Sequence, residues 1–175
     1  MEVNYDIWTG ESIQELVQTI AEFRYQLFIH NDNIPHRLSD EINFLQHYFD
    51  HESCIVVAND CGAIVGYMAL VDYSDHHESI NEYEHYGADL KISEGPWVHP
   101  DYRNMGIGKG LMQESLTICE IRDVSLLVID SPPFLQTEDV ILSSERIATG
   151  FGFTKEVLSN RTTYIKTIVI ESGRQ

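Results

Sequence analysis

One stretch constrains this chain more than any other: Glu94 to Gln113, which contains Trp97-Val98, His99-Pro100-Asp101, Gly106-Ile107-Gly108 and Lys109. It reads as an extended run entering a turn, then a glycine loop that opens an amphipathic helix. Met112, Leu116 and Cys119 fall on one stripe of that helix at i, i+4 and i+7. The first N–H groups of a helix have no intrahelical partner, and the helix dipole places partial positive charge there. Glycines let the backbone adopt positive φ and close on an anion as a nest of donors. Arg103 and Lys109 add formal charge. The stretch is therefore read as an anion site held between a strand and a helix.

Composition narrows what the anion can be. The formal net charge is −17 over 175 residues. Such a surface repels nucleic-acid phosphates and anionic membranes, so neither is expected as a partner. The anion site must then be a local positive island, and the surrounding acidity either steers a cationic second partner or serves only solubility. No apolar run approaches the ~20 residues of a membrane span. Met1 to Asp6 lacks the basic and apolar regions of a signal peptide, so a cytoplasmic location is expected. Cys54, Cys61 and Cys119 form no C-x-x-C pair and are read as reduced, mostly buried thiols.

In chain order, Val3–Trp8 reads as a strand, and Ser12-x-x-Glu15 as a capping box opening a helix with Ile13, Leu16, Val17, Ile20 and Leu27 on its apolar face. Asn31 to Pro35 breaks it. A second helix is expected from Ser39, with Asp40 and Glu41 in its first turn and Ile42, Leu45 and Phe49 facing inward. Ser53–Ala58 and Ala63–Val71 read as a hairpin turning at Asn59-Asp60-Cys61-Gly62. Tyr73 to Asp89 reads as an acidic, solvated excursion. Its His76-His77 pair is poorly spaced to share one ion, so no metal is expected. Leu90–Val98 is a strand with a bulge at Gly95-Pro96, since proline cannot donate to a ladder. A helix to about Arg122, a strand Val124–Asp130, a helix from 137–138 to Thr149, a strand from Gly152-Phe153 to Leu158 and a last strand Arg161–Ile170 complete the chain, with a frayed tail from Glu171.

The string Arg103-Asn104-Met105-Gly106-Ile107-Gly108, with its lead-in Val98-His99-Pro100-Asp101-Tyr102, resembles the acyl-CoA motif of the GNAT superfamily of N-acyltransferases. A Walker loop would need a Ser or Thr after Lys109, where Gly110 stands, and a dinucleotide fingerprint spaces its glycines differently. The element order and the Gly152-Phe153 dipeptide extend the resemblance over nearly the whole chain. It implies an α/β (α+β) GNAT fold, a mixed, mostly antiparallel sheet flanked by about four helices, as one domain over residues 1–175.

The resemblance implies an acetyl-CoA-dependent N-acetyltransferase working by direct attack of an amine in a ternary complex. It assigns CoA binding to Val98, Arg103, Asn104, Met105, Gly106, Ile107, Gly108 and Lys109. It also makes the Val98 N–H the donor to the thioester oxygen. Glu94, just before the bulge, is the candidate general base. His99 is expected to face solvent. The slot where many family members carry a tyrosine acid is Ala148, so Ser143, Ser144, water or unassisted departure of the thiolate would have to serve. Tyr102 and Tyr164 lie outside that slot. Acidity points to a small cationic amine as acceptor. A protein N-terminus or lysine, a non-catalytic acyl-CoA sensor and a homodimer stay open.

Overall fold

The computed structural model describes residues 2–28, 37–49, 52–72, 90–130, 145–158 and 161–168. Strand β1 (Asn4–Thr9) is followed by helices α1 (Ser12–Phe28) and α2 (Leu38–Tyr48). The hairpin β2 (Cys54–Asp60) and β3 (Ala63–Asp72) comes next, then β4 (Leu90–Val98) and α3 (Ile107–Ile121). Strand β5 (Leu126–Asp130), a helical segment at residues 145–150 (α4), β6 (Thr154–Leu158) and β7 (Arg161–Thr167) complete it. The acidic excursion Tyr73–Asp89 with its histidines, the breaks at 31–35, 131–133 and 159–160, the start of the expected helix with Ser143 and Ser144, and the tail lie outside the described residues.

The seven strands form one sheet in the order β1-β2-β3-β4-β5-β7-β6. Every neighbouring pair is antiparallel except β4 and β5, which are parallel. Side chains alternate across the sheet as strand geometry requires. Ile55, Val57, Tyr67, Ala69, Val71, Val128 and Ile165 join the apolar stripe of α1 and α2 on one face. Val56, Met68, Leu70, Leu127, Ile129 and Tyr164 join Leu111, Met112 and Cys119 of α3 and Ala148 of α4 on the other. The expected stripe on α1 is found: Ile13, Leu16, Val17 and Ile20 are buried.

Two helix starts differ from expectation. Ser12 does not close a capping box: its hydroxyl donates back to the Thr9 carbonyl at 2.7 Å and accepts from the Thr9 N–H at 3.3 Å. The preceding Gly10, at φ 58°, turns the chain so that Ser12 faces the strand it has left. Helix α2 starts at Leu38 with Arg37 as its N-cap and no side-chain cap. Asp40 and Glu41 lie in its first turn as expected, but Glu41 is 2% exposed. Glu41 instead pairs with the buried Arg24 of α1, whose Nη1 donates to the Tyr67 hydroxyl at 2.7 Å.

The hairpin turn is tighter than the four residues read from sequence. Asn59 and Asp60 stay in β2, leaving Cys61 (φ 51°) and Gly62 (φ 85°) as a two-residue loop. Positive φ at both positions is the type I′ pattern. Cys54 and Cys119 are buried, while Cys61 is exposed at this turn.

Candidate active site

The site begins with a change of register. Tyr67 opposes Trp97 and Ala69 opposes Glu94, so Met68 faces both Gly95 and Pro96: the expected bulge. Gly95 sits at φ 104°, and a Cβ there would lie 2.8 Å from the Trp97 nitrogen and 3.0 Å from the Tyr67 carbonyl oxygen. The bulge therefore demands glycine.

On its other side β4 pairs with β5 over four rungs, from Leu90↔Leu126 to Ser93↔Ile129. From Glu94 to Val98, β4 has no ladder partner on that side among the described residues. Among the described residues the two strands thus part after Ser93 and Ile129, a parting termed the wedge. The direction of the Val98 N–H follows from the ladder with β3. His99 N–H donates to the Val65 carbonyl at 2.9 Å, and Val98 opposes Gly66. In an antiparallel ladder, bonding and non-bonding pairs alternate, so Val98 belongs to a non-bonding pair. Its N–H and C=O face away from β3, into the wedge. The Arg103 Nε, donating to the Val98 carbonyl at 3.3 Å, approaches from that open side.

The loop that follows is built for positive φ. Asn104 lies at φ 62° and Gly106, the N-cap of α3, at φ 86°. The first helical bond joins the Gly110 N–H to the Gly106 carbonyl at 3.0 Å. The N–H groups of Ile107, Gly108 and Lys109 precede it and have no helical acceptor. Arg103, Asn104, Met105, Gly106 and Lys109 are exposed, and Gly108 is half-buried. Ile107 is buried and anchors the helix start in the core. A Cβ on Gly108 would point at Ile147 Cδ1 (3.0 Å), Pro96 Cγ (3.6 Å) and Val98 Cγ2 (3.7 Å). The bare glycine thus keeps space between α3, α4 and the wedge. Two other glycines set how closely α3 packs: a Cβ on Gly66 would meet the Trp97 carbonyl oxygen at 2.8 Å, and one on Gly110 would run into the Tyr5 hydroxyl.

The structure thus gathers Val98 and the segment Arg103–Lys109 at one end of the β4–β5 wedge. Glu94 stands where the wedge opens, opposite Ala69. His99 is half-buried rather than solvent-facing. Its Nδ1 accepts from the Asp101 N–H at 3.3 Å, capping the short 3₁₀ turn Pro100–Tyr102. Tyr102 donates to Asp60 at 3.1 Å, tying the loop to the β2–β3 turn, and that bond holds its phenol above the usual range. Ala148 is fully buried within the α3-side core.

A family model for the acetyltransferase (GNAT) domain matches residues 50–145. The chain belongs to the GNAT acetyltransferase family. Solved structures share the fold at low identity. A GNAT-family acetyltransferase from Staphylococcus aureus Mu50 is 18% identical with a TM-score of 0.64, covering 95% of this chain and 99% of its own. A GNAT-superfamily phosphinothricin acetyltransferase from Sinorhizobium meliloti, in complex with AcCoA, is 16% identical with a TM-score of 0.68, covering 96% and 89%. A ribosomal-protein-alanine N-acetyltransferase from Brucella melitensis is 15% identical with a TM-score of 0.64, covering 93% and 99%. The curated protein sequences hold no significant match. Among the described residues of this GNAT protein, no helix is long and apolar enough to cross a membrane.

Proposed function

We propose that this protein transfers an acetyl group from acetyl-CoA to the primary amine of a small cationic molecule, by direct attack within a ternary complex. The observation that carries the reading is the Val98 N–H turned into the wedge beside the uncommitted N–H groups of α3. The nest at Asn104–Gly106, the N–H groups of Ile107, Gly108 and Lys109, and the charge of Arg103 fit a pyrophosphate. The wedge offers the pantetheine arm a strand edge to lie along.

When bound, the thioester supplies an activated acyl carbon. The chain's residues do the rest. The Val98 N–H donates to the carbonyl oxygen as negative charge builds there. Glu94 accepts the proton that the amine nitrogen loses as the C–N bond forms and the C–S bond breaks. Glu94→Gln is expected to lower kcat by roughly a hundredfold, within the range of acid–base assistance, while CoA affinity stays within twofold. Wild-type turnover in that variant would remove Glu94 from the mechanism.

The acceptor assignment rests on charge. Asp72, Asp75, Glu78, Glu82, Glu84 and Asp89 precede β4 in sequence, whereas Arg103 and Lys109 follow it. Polyanionic CoA and a cationic amine would be sorted to opposite ends. Exposed charges steer by long-range attraction and are screened beyond about 8 Å at physiological salt. In a panel of polyamines and aminoglycoside-like amines, the acceptor KM is therefore expected to rise with ionic strength. Neutralising Glu78, Glu82 and Glu84 together should raise it further and flatten that dependence, with CoA affinity unchanged. A triple variant indistinguishable from wild type would place the acceptor elsewhere.

A second reading is a non-catalytic acyl-CoA sensor. The buried Ala148, which leaves α4 without an acid at that position, favours it. CoA binding without turnover across amines, protein N-termini and lysine peptides would select it.

A further inference from the structure

Strand β7 holds a hydroxyl that the fold does not use. Tyr164 is 1% exposed, and its Oη has no hydrogen-bond partner among the described residues. Burying a hydroxyl without a partner costs free energy that a phenylalanine at the same place would avoid. A group kept at such a cost calls for an acceptor absent from the folded chain itself.

Its place in the sheet indicates where that acceptor would come from. Tyr164 opposes Ile129 of β5, and Ile129 forms the last rung with Ser93 before β4 and β5 part. The ring packs on the α3 side of the sheet, in the same cluster as Ile129, Met112, Ala148 and Phe153. Tyr164 is therefore level with the rung at which β4 and β5 part, one strand beyond β5, on the side from which the α3 loop and Ile147 of α4 close on Pro96 and Val98. Lys155 opposes Tyr164 on β6 and is ion-paired at 3.1 Å to Glu145 of α4. Burial first, and then the Glu145 charge, raise the phenol above its ordinary range, with Lys155 acting the other way. At neutral pH the group is an O–H donor and carries no charge.

We propose that the Tyr164 hydroxyl donates a hydrogen bond to the sulfur that leaves the acyl donor at the apex of the β4–β5 wedge. This rests on the acyl-CoA reading above. As the amine nitrogen bonds to the acyl carbon, the C–S bond breaks and its electron pair stays on sulfur. The amine's proton goes to the base. The thiolate is stabilised by the phenol O–H, which keeps its own proton, and leaves or is protonated from solvent. Ala148 of α4 contributes no donor, so this hydroxyl of β7 takes that place.

The test is Tyr164→Phe, read by binding as well as by rate. At a pH where the free thiol of CoA is ionised, the variant is expected to bind CoA about tenfold more weakly than wild type. That is the equivalent of one pKa unit in the bound thiol. Desulfo-CoA, which lacks the sulfur, is expected to bind both proteins equally. With acetyl-CoA, kcat is expected to fall roughly a hundredfold with KM for the donor within twofold, at the low end for such assistance. The variant should unfold at or above the wild-type temperature, because it loses an unpartnered hydroxyl. Equal effects on CoA and desulfo-CoA, or none on either, would overturn the inference while leaving the acyl-CoA reading intact. Failure of the wild type to bind CoA would overturn both.

Discussion

Glu41→Ala is expected to lower the stability of this protein by about 3–5 kcal/mol, because it removes the carboxylate paired with a buried guanidinium. Arg24 is 7% exposed and Glu41 2%, and they join α1 to α2 beneath the fully buried Tyr67 of β3. Burial works against the Arg24 charge, but Tyr67 and Glu41 more than offset it and hold its pKa above the ordinary value. Removing Glu41 takes away part of that support, but a guanidinium keeps its proton throughout the physiological range, so the charge stays. Neither the Tyr67 hydroxyl at 2.7 Å nor the Phe44 ring 5.7 Å from Arg24 Cζ carries a negative charge to replace the carboxylate. Removing both charges is a different matter. Replacing Arg24 with Met and Glu41 with Leu keeps volume and abolishes the desolvation cost, so the double variant should lie within about 2 kcal/mol of wild type. Urea unfolding of the three proteins measures this directly. A Glu41→Ala loss below about 1 kcal/mol would class the pair with exposed ion pairs and sink the argument.

That pair also shows what was legible in the sequence and what was not. The apolar stripe of α1 was read from Ile13, Leu16, Val17, Ile20 and Leu27. Arg24 falls on the same stripe, four residues after Ile20. Glu41 likewise stands four residues before the buried Leu45. A positive charge on one apolar stripe and a negative charge on the next was a readable sign of a buried pair. Reading Glu41 as a complement to the helix dipole hid it, since the first turn of a helix also favours acids.

The strand–loop–helix unit was legible to within a residue or two because each part has a local cause. Pro96 forces the bulge, Gly106 supplies positive φ, and the i, i+4 stripe buries α3. The strand order was not local. Nothing in Arg161–Thr167 tells it to insert between β5 and β6, and that arrangement entered through resemblance. The unpartnered hydroxyl of Tyr164 was invisible for the same reason, since its meaning depends on a rung between β5 and β7 and another between β4 and β5.

The largest effect on ligand binding is expected at the two glycines of the loop, and they should fail for different reasons. Gly106 lies at φ 86°, and a Cβ there would meet nothing within 4 Å, so Gly106→Val is a conformational lesion. A β-branched residue leaves the left-handed region or is strained within it by about 1–3 kcal/mol, and the N–H groups that follow lose their convergence. Gly108 has ordinary φ, and its side-chain direction runs between Ile147, Pro96 and Val98. Gly108→Val therefore fills the space between Ile147, Pro96 and the Val98 side chain, a steric lesion with no strain in φ. Losing two charge-assisted hydrogen bonds at about 2 kcal/mol each corresponds to roughly a thousandfold in CoA affinity. Calorimetry should show a fall of that order in Gly106→Val, and a strong fall in Gly108→Val from steric obstruction instead. Arg103→Ala should cost less, about tenfold, because an exposed guanidinium is screened where backbone donors are not. Gly150, exposed and with nothing within 4 Å of a Cβ, is the control: Gly150→Ala should bind CoA like wild type. The two lesions separate when truncated ligands are compared. Gly106→Val should weaken adenosine 3′,5′-bisphosphate derivatives that keep the pyrophosphate as much as CoA itself. Gly108→Val should weaken them less, since its side chain would obstruct the pantetheine arm. Wild-type affinity for CoA in Gly108→Val would mean that the wedge beside Val98 is not where the arm lies.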